Sequence, residues 1–539
     1  MYADGPRWGL PIRSRTKRRR QQRTLAALLA GSLLGFGCVN VQVLGIRGGG
    51  DEAPATAADA GQPGASGGES AAAAATPTTT APAGPRANDD GYDGWVDPAS
   101  SGNPWTSEVD GLLTFRGNPT RSYYGKGPVP ADPEVLWSVP DGGGFCGESA
   151  VGGQSKTWCG TGWTGQPSVW SEDGITWVAF GAYDKNVHFL NGADGTDLLP
   201  PFDIGDIVKG SVTRDPDGFP LLYSGSRADF HILATDRAEP ESLWSMDAEN
   251  VSPTKWNNDW DSSPLVIDDY LFEGGENGQF YVIKLNRSLG EDGLVSVDPE
   301  IVFHTPGWDD ELLADLAGSG SRQNDVSIET SLTIVGNTVY FTNSGGLVQG
   351  WDISGLKDGQ EPQRSFRFWT GDDTDATLVA DADGMLYAAQ EVERDSSAER
   401  NAEVGQLVKL DPSKPEDPVV WSVADDRGMW ATPGLADGVI IAPTDSGRIL
   451  CVDQASGDVL WEKDLPGPTW SSPVIVDDVW IQGDCDGTVH AFDLSDPRVD
   501  PPELWSVDLE GCVESTPALW EGRLYVGARG GKVYAIGDR

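Results

Sequence analysis

The stretch TWSSPVIVDDVWIQGDCDGTVHAFDLSDP, residues 469–497, decides the fold because its pattern returns at the end of the chain. There, ESTPALWEGRLYVGARGGKVYAIGD, residues 514–538, has the same order of parts: a Ser/Thr-Pro start, an apolar strand, a polar turn pair and a second apolar strand. Recurrence of one unit is typical of repeat architectures, in which each unit packs on its neighbours. The sequence therefore predicts an array of similar supersecondary units.

A polar pair between two apolar strands marks each unit. Most of these pairs are of residue types that tolerate positive φ, which a tight hairpin needs. The flanking alternation, as in GRLYVG and NTVYFT, places apolar side chains on one face of each strand. The eight pairs are Asp173-Gly174, Asp217-Gly218, Asp268-Asp269, Gly336-Asn337, Asp383-Gly384, Asp437-Gly438, Asp477-Asp478 and Glu521-Gly522.

An aromatic residue in a further apolar strand, often within LWSV, gives an independent count. The eight aromatics are Trp137, Phe202, Trp244, Phe303, Trp369, Trp421, Trp461 and Trp505. Trp137 precedes the first hairpin, whereas the last hairpin has no such strand after it. If the array closes into a ring, the strand around Trp137 completes the last unit, and closure hides the sheet edges. We predict an all-β fold: an eight-bladed β-propeller over 134–539, with four antiparallel strands in each blade.

The amino-terminal part has a different composition. A basic segment, 1–23, precedes an apolar run, 24–46, which predicts a single-pass anchor with the propeller on the extracytoplasmic side. The alternatives are a cleaved signal segment, which gives a secreted protein, and a lipid anchor at Cys38. Residues 47–90 are rich in Ala, Pro, Thr and Gly and are typical of a disordered linker. Residues 91–133 are predicted to pack on the propeller as a strap.

Charge limits the possible partners. The chain has a formal net charge of −45, although its first 50 residues carry nine Lys or Arg and one acid. The remainder is therefore strongly acidic and would repel nucleic acid. We expect no nucleic-acid partner and a membrane contact only through the amino-terminal anchor.

Six cysteines indicate the compartment. Cys146 and Cys159 flank a Gly-rich stretch and would close a short loop. Cys485 and Cys512 lie in neighbouring units and would link two blades. Disulfides are typical of oxidising compartments. Cys451, inside the strand RILCVD, is expected to be a buried free thiol.

The stretch CVDQASGDVLWE, residues 451–462, resembles the tryptophan-docking motif of pyrroloquinoline-quinone-like propellers, with Asp453, Gly457 and Trp461 at its usual Asp, Gly and Trp positions. The resemblance implies that these three residues dock blades. The family includes dehydrogenases and non-enzymatic outer-membrane assembly lipoproteins. Alcohol dehydrogenases of this family carry adjacent cysteines at the quinone, and haem domains carry C-x-x-C-H, whereas this chain has neither. The resemblance is therefore closer to the assembly factors, and no catalytic residue or metal ligand is assigned.

Propeller geometry predicts which loops form a site. Loops entering the innermost strands lie on the same face as turns joining the second and third strands. The long inserts 308–318 and 391–404 enter this face, and long loops on rigid scaffolds often carry function. The candidate ligand-binding residues at this channel mouth are Lys209, Trp260, Asp261, Glu276, Asn277, Glu329, Asp375, Trp430, Trp470 and Glu514.

Two functions follow from this set. The first is a membrane-tethered binding or scaffolding module for a protein, peptide or glycan of the cell envelope, which needs no cofactor. The alternative is a quinoprotein-type oxidoreductase that holds Ca²⁺ and pyrroloquinoline quinone at the mouth, since converging carboxylates bind cations and indoles stack on flat ligands. A purely structural interpretation also stands, in which the polar side chains bond to loop backbone and the tryptophans pack between blades.

Overall fold

The structure, a computed structural model, describes residue 87 and residues 91–151, 154–162, 165–320, 323–393 and 398–539. The predicted basic segment, anchor and linker lie outside the described residues, apart from Ala87. Among the residues that the structure describes, no helix is both long enough and apolar enough to cross a bilayer.

Strands dominate the fold. The first five are β1 (Gly111–Leu112), β2 (Gly125–Lys126), β3 (Glu134–Val139), β4 (Cys146–Val151) and β5 (Gln154–Cys159). Blade 1 contains β6 (Ser168–Glu172), β7 (Ile175–Gly181), β8 (Asn186–Asn191) and β9 (Asp197–Asp203). Blade 2 contains β10 (Thr213–Arg214), β11 (Leu221–Gly225), β12 (Asp229–Ala234) and β13 (Glu241–Asp247). Blade 3 contains β14 (Leu265–Ile267), β15 (Tyr270–Gly274), β16 (Gln279–Lys284) and, after the small hairpin β17 (Ser288–Leu289) and β18 (Val295–Ser296), β19 (Glu300–Pro306).

The later blades repeat the arrangement. Blade 4 contains β20 (Thr333–Val335), β21 (Thr338–Phe341), β22 (Leu347–Asp352) and β23 (Gln363–Trp369). Blade 5 contains β24 (Val379–Ala380), β25 (Leu386–Ala389), β26 (Leu407–Leu410) and β27 (Val419–Val423). Blade 6 contains β28 (Gly434–Ala436), β29 (Val439–Pro443), β30 (Arg448–Asp453) and β31 (Val459–Asp464). Blade 7 contains β32 (Val474–Val476), β33 (Val479–Gly483), β34 (Thr488–Asp493) and β35 (Glu503–Asp508), and the last three strands are β36 (Ala518–Trp520), β37 (Arg523–Ala528) and β38 (Lys532–Gly537).

Ring closure follows the predicted permutation. β36, β37 and β38 pair in order, and β3 adds antiparallel to β38 as the outermost strand of blade 8. Trp137 lies opposite Ala535 in this pairing. The eight four-stranded antiparallel sheets confirm the predicted eight-bladed β-propeller. Closure leaves every blade covered by two neighbours, so the ring has no open end.

The outer strands share one irregularity. In all eight blades the pairing of the third strand with the fourth shifts register near the predicted aromatic, once in seven blades and twice in blade 1. The indole of Trp421 in blade 5 lies against Gly457 of blade 6, where a Cβ would approach the ring to 2.8 Å. Trp137 lies against Gly195 of blade 1 in the same manner. Both glycines have positive φ, 80° and 74°, which side chains rarely adopt. The aromatic of one blade therefore docks on a glycine turn of the next.

The core lies between adjacent blades. In one cluster, Tyr387 and Ala389 of blade 5 pack with Ile440 and Leu450 of blade 6. The same pattern recurs around the ring, with apolar faces of inner strands packed on their neighbours. Burial of these faces supplies the main stabilising free energy of the propeller.

The segment 91–133 closes the channel at one end. β1 adds to the inner edge of blade 1, and β2 adds parallel to the inner strand of blade 8. Between them, Arg116 and Arg121 are fully buried. Arg116 donates to the carbonyls of Pro473 (3.1 Å) and Pro433 (2.8 Å). Arg121 donates to the carbonyls of Leu332 (2.7 Å) and Ser263 (2.8 Å). Two side chains thus join four blades across the channel.

Disulfides and two short helices complete the described fold. Cys146–Cys159 joins the hairpin β4–β5, and Cys485–Cys512 links the loops of blades 7 and 8, as predicted. Cys451 is a buried free thiol, also as predicted. The helix α1 (Asp310–Ser319) occupies most of the first long insert and ends one residue beyond it, and α2 (Ala398–Val404) lies within the second.

Candidate functional site

Loops before the inner strands meet the turns between second and third strands at one end of the channel, which we call the mouth. Lys209 precedes β10, Asp261 precedes β14, and Glu276 lies in the turn between β15 and β16. The Lys209 Nζ atom lies 2.8 Å from an Asp261 oxygen and 2.7 Å from a Glu276 oxygen. These contacts join two blades and both kinds of loop, so the predicted common face exists.

A buried ion cluster occupies the mouth at blades 2 and 3. Lys209 also contacts Asp259, at 2.7 Å, and all three carboxylates are almost completely buried. Burial opposes the charge on Lys209, but Asp259, Asp261 and Glu276 together hold its pKa well above the ordinary value. Burial, with repulsion from Glu276, raises the pKa of Asp259 to about 7. The cluster therefore depends on the ammonium group that Lys209 places between the acids.

Two further groups extend this cluster outward. The Arg227 Nε atom lies 3.3 Å from Asp259, and the Asn257 side chain donates to Glu276 at 2.8 Å. The three acids thus face two basic side chains. Ion pairs hold all three acids, although both carboxylate oxygens of Asp259 are buried without a hydrogen-bond partner among the described residues.

A second group of acids lies across blades 4 and 5. Asp373, Asp375 and Glu391 each offer an oxygen, and the three oxygens lie within 4.8 Å of one another. Glu329, nearby, accepts hydrogen bonds from Ser327 (2.8 Å) and Ser344 (3.3 Å). Burial and then neighbouring Glu276 raise the pKa of Glu329 to about 8. Buried carboxylates at this spacing either keep protons or hold a cation.

The pKa of Asp375 shows how strongly these acids interact. Burial raises it first, and repulsion from Glu329, Asp373 and Glu391 raises it further, well above the ordinary value. The Glu329 Oε2 and Asp375 Oδ1 atoms are buried and accept no hydrogen bond within the described residues. Asp373, Asp375 and Glu391 offer three oxygens of the kind that a hard divalent cation binds, fewer than its usual six to eight.

Two indoles border the second acid group. The Trp430 Nε1–H donates to Asp375 at 3.2 Å, and its backbone N–H donates to Asp445 at 3.0 Å. The Trp470 ring meets the Trp430 ring edge-on, with centroids 5.5 Å apart. Burial raises the pKa of Asp445 to about 7. The predicted aromatic and acidic residues of blades 5 to 7 therefore form one continuous surface.

Glu514 lies at another sector of the mouth. The Arg529 guanidinium contacts Glu514 at 3.3 Å and donates to the Tyr183 hydroxyl at 3.1 Å. Burial raises the pKa of Glu514, while Arg529 partly offsets that rise. Glu514 is thus held in an ion pair within blade 8, and Arg529 links this pair to blade 1 through Tyr183.

Two of the predicted ligand-binding residues are buried in the fold and do not line the mouth. Trp260 is fully buried between Phe230 and Tyr281, with ring centroids 5.6 and 5.4 Å away. Asn277 is buried and donates to the Ala248 carbonyl and the Tyr281 hydroxyl, at 2.7 and 2.6 Å. The prediction that Trp260 faces the mouth is wrong, because adjacent residues point in opposite directions and Asp261 takes the mouth side. Asn277 braces its turn, although the turn itself borders a cavity.

Sequence reasoning left several mouth residues out of the candidate set. Asp259 is noted in the sequence only as a neighbour of the candidate set, and Asp373 is absent from that set. Each lies two positions before a predicted acid, so the spacing i, i+2 places both on the mouth side. Arg227 carries no local signal, because its partner Asp259 lies on the next blade. Arg529 lies 15 residues after its partner Glu514 in blade 8, and no motif in the sequence marks that pair. The two arginines of the strap likewise reveal their role only through carbonyls far along the chain.

The carboxy-terminal repeats are similar in sequence to known proteins. Residues 403–537 match the family model described as outer membrane protein assembly factor BamB. The outer membrane protein assembly factor BamB of Nitrosomonas eutropha (strain DSM 101675 / C91 / Nm57) is 26% identical over 163 residues, which are 28% of this chain and 34% of that protein. The chain thus matches about a third of the length of this curated relative.

Two solved structures align with much of the chain at low sequence identity. BamB from Moraxella catarrhalis is 14% identical, with a TM-score of 0.47, over 76% of this chain and 98% of that chain. The computationally designed Ika8 protein is 12% identical, with a TM-score of 0.45, over 70% of this chain and 97% of that chain. The carboxy-terminal repeats are thus similar to those of the pyrroloquinoline-quinone-like assembly factors, and the strand pairing shows the eight-bladed β-propeller itself.

Proposed function

We propose that the protein is an extracytoplasmic scaffold that binds a protein of the cell envelope during outer membrane protein assembly. The observation that carries this proposal is the match of residues 403–537 to the assembly-factor family model. The two disulfides support an oxidising compartment. In this proposal the apolar run 24–46 tethers the chain to the membrane, and the linker 47–90 gives the propeller reach.

The mouth is the surface that we assign to the partner. Arg116 and Arg121 fill the channel on the strap side, so a ligand of the mouth binds to a closed-end recess. The acids Asp373, Asp375 and Glu391 favour a segment that carries Lys or Arg side chains. The indoles of Trp430 and Trp470 add a surface for the apolar stems of such side chains.

Binding of a cationic segment at the mouth should release protons from the carboxylates and should therefore depend on pH. A cationic side chain favours the charged form of the mouth carboxylates, whose pKa values are raised in the free protein. Binding therefore expels protons, and affinity should rise as the pH is raised. A partner that binds elsewhere through apolar contacts alone would not show this dependence.

The test is crosslinking in intact producing cells, followed by affinity capture of the full chain and identification of the captured envelope proteins. The mouth variant combines Asp375→Asn with Glu391→Gln. Its control combines Asp477→Asn with Asp478→Asn, which removes two exposed charges from a turn between first and second strands. The control tolerates Asn because both positions have positive φ, 51° and 59°.

We expect one or a few envelope proteins to be recovered with the native chain and the control, and about tenfold less with the mouth variant, equivalent to about 1.4 kcal/mol. Recovery of no specific protein would contradict the scaffold function. Equal recovery with both double variants would exclude the mouth as the binding surface.

A second candidate is cation-assisted oxidoreductase chemistry at the mouth. The carboxylates of Asp373, Asp375 and Glu391 fit Ca²⁺, which prefers oxygen ligands. They do not fit pyrroloquinoline quinone, because the three carboxyl groups of that cofactor would enter an acidic recess whose basic side chains Lys209 and Arg529 already form ion pairs. We therefore propose Ca²⁺ without the quinone for this group of acids.

Thermal unfolding separates these possibilities. Ca²⁺ at 100 times its dissociation constant should stabilise the full chain by about 2.7 kcal/mol, and Asp375→Asn with Glu391→Gln should remove most of this gain. Pyrroloquinoline quinone, alone or with Ca²⁺, should add nothing. A further rise with the quinone would favour the oxidoreductase, and no response to Ca²⁺ would exclude the cation site.

A further inference from the structure

A cavity of about 450 Å³ lies beside the ion cluster at blade 3. Its walls come from the loop between β13 and β14 and from the turn between β15 and β16. The polar and aromatic side chains of its lining include Glu249, Thr254, Trp256, Asn257, Asn258 and Asn277. Volumes of 300–1,000 Å³ are usual for small-molecule sites, so the cavity has the size of a ligand pocket.

Trp256 has an unusual backbone in this cavity. Its φ is 73°, in the left-handed region that bulky residues rarely occupy. Its neighbours hold it there: the Lys255 N–H donates to the Asn277 carbonyl at 3.0 Å, and the Asn257 N–H donates to the Glu276 carbonyl at 3.4 Å. The loop is thus fastened on both sides of the indole. Strained residues of this kind concentrate at binding sites.

The remaining walls are fixed as well. The Asn257 side chain donates to Glu276, at 2.8 Å, within the ion cluster. Asn277 is braced by the Ala248 carbonyl and the Tyr281 hydroxyl. A cavity whose walls are held by buried hydrogen bonds keeps its shape without a ligand, which lowers the entropy cost of binding.

The chemistry of the side chains that line the cavity limits the class of ligand that it can bind. One indole supplies a flat apolar face, and amide and hydroxyl groups can both donate and accept hydrogen bonds. The charges of Glu249 and Lys255 cancel, and the Lys255 Nζ atom lies over the Trp308 ring, 5.6 Å from its centroid. A phosphate or another strong anion would need an excess of basic groups. A sugar ring matches this lining, since it has C–H faces and hydroxyl groups along its edge.

We propose that this cavity is a binding site for a neutral saccharide, with room for one or two sugar rings. The ring of Trp256 stacks on the C–H face of one sugar, and Asn258 and Thr254 bond to its hydroxyl groups. This inference does not depend on the envelope-protein scaffold, because capture of a protein partner and binding of a free sugar are measured separately.

The test is saturation-transfer NMR on the full chain with two neutral disaccharides, cellobiose and N,N′-diacetylchitobiose, and with glucose 6-phosphate as an anionic comparison. Trp256→Gly removes the indole and relieves the backbone strain, so the loop should keep its path. Asn258→Ala is the second variant. Tyr92→Ala, which removes an exposed aromatic of the strap, is the control.

We expect transfer to at least one neutral disaccharide in the native chain and in the control. Trp256→Gly should weaken its affinity by about tenfold or more, and Asn258→Ala should weaken it by a smaller factor. No transfer to either disaccharide, transfer to glucose 6-phosphate alone, or an affinity unchanged in both cavity variants would overturn the proposal.

Discussion

Lys209 is the buried cation that contacts all three carboxylates of the ion cluster. Its Nζ atom lies within 2.8 Å of oxygens of Asp259, Asp261 and Glu276. A buried ion pair adds little net stability when complete, but removal of one partner leaves charge in a medium of low dielectric constant. The consequence of losing Lys209 should therefore exceed that of losing an exposed lysine.

We expect Lys209→Met to lower the free energy of unfolding by about 3–5 kcal/mol at neutral pH. Urea unfolding followed by circular dichroism measures the change. Lys126→Met is the matched control, because Lys126 also contacts two carboxylates, Asp110 and Glu521, but is 41% exposed. That change should cost less than about 1 kcal/mol. Equal effects of the two substitutions would show that the ion cluster contributes no special stability.

Glu329 makes stability depend on pH in the opposite direction to an ordinary surface acid. Its pKa is raised from 4.5 to about 8, first by burial, then by repulsion from Glu276, with Lys209 opposing the rise. The folded protein therefore binds this proton more tightly than the unfolded chain. The stabilisation that comes from this tighter proton binding is fully present below about pH 4.5, and it is lost as the pH rises towards 8.

Glu329→Gln mimics the protonated acid at every pH. We expect the variant to gain stability relative to the native chain between pH 5 and pH 8, by at most about 1.4 kcal/mol per pH unit. Denaturant titrations at four pH values measure this difference. Glu300→Gln, on an exposed outer strand, is the control. A difference that does not change with pH would mean that Glu329 is charged throughout.

At the scale of elements, the strap stabilises the propeller through its buried arginines as well as through its two short strands. Arg121 makes four hydrogen bonds, including those to the Phe115 carbonyl (2.8 Å) and the Thr114 hydroxyl (3.1 Å). Burial lowers its pKa to about 9, which leaves it charged at neutral pH. A planar guanidinium can reach several carbonyls at once, whereas an ammonium group acts at one point.

Arg121→Met should destabilise the propeller by about 3 kcal/mol or more, because each buried carbonyl left without a donor costs about 1–3 kcal/mol. Arg121→Lys should fall between this variant and the native chain. Arg427→Met, at a 51% exposed side chain, should change stability by less than about 0.5 kcal/mol. Chemical denaturation of all three provides the comparison. Similar stability of Arg121→Met and Arg427→Met would mean that water replaces the guanidinium in the channel.

At the scale of the whole molecule, the ring is held by a strand that comes before the first blade. β3 pairs with β38, and the indole of Trp137 donates to the Gly192 carbonyl of blade 1 at 3.1 Å. The connection after β3 passes through the exposed residues Asp141 to Gly143. The closing strand and the strap are therefore joined to the rest of the ring by many contacts and by one accessible loop.

We expect a protease site placed at residues 141–143 to be cut without release of the amino-terminal fragment. After cleavage, that fragment should co-elute with the rest of the propeller on size exclusion and separate only in denaturant, since strand pairing and buried arginines hold it. Trp137→Ala in the cleaved protein should promote release. Separation of the fragments under native conditions would contradict non-covalent ring closure.

The sequence by itself determined the number of blades, the closing strand and both disulfides. Turn pairs and aromatics repeat at short range, so each blade reports its own structure, and the position of Trp137 relative to the last hairpin reveals the permutation. Asp375 and Trp430 were also predicted at the mouth, because their loops are fixed by the blade count.

The tertiary structure alone decided which of these side chains meet. Lys209 and Asp261 are 52 residues apart, and Arg116 bonds to Pro473 across 357 residues. No local pattern records such contacts. Trp260 and Asp261 are adjacent, yet one enters the core and the other the mouth, because consecutive side chains of an extended segment point to opposite sides and the path of the loop selects which.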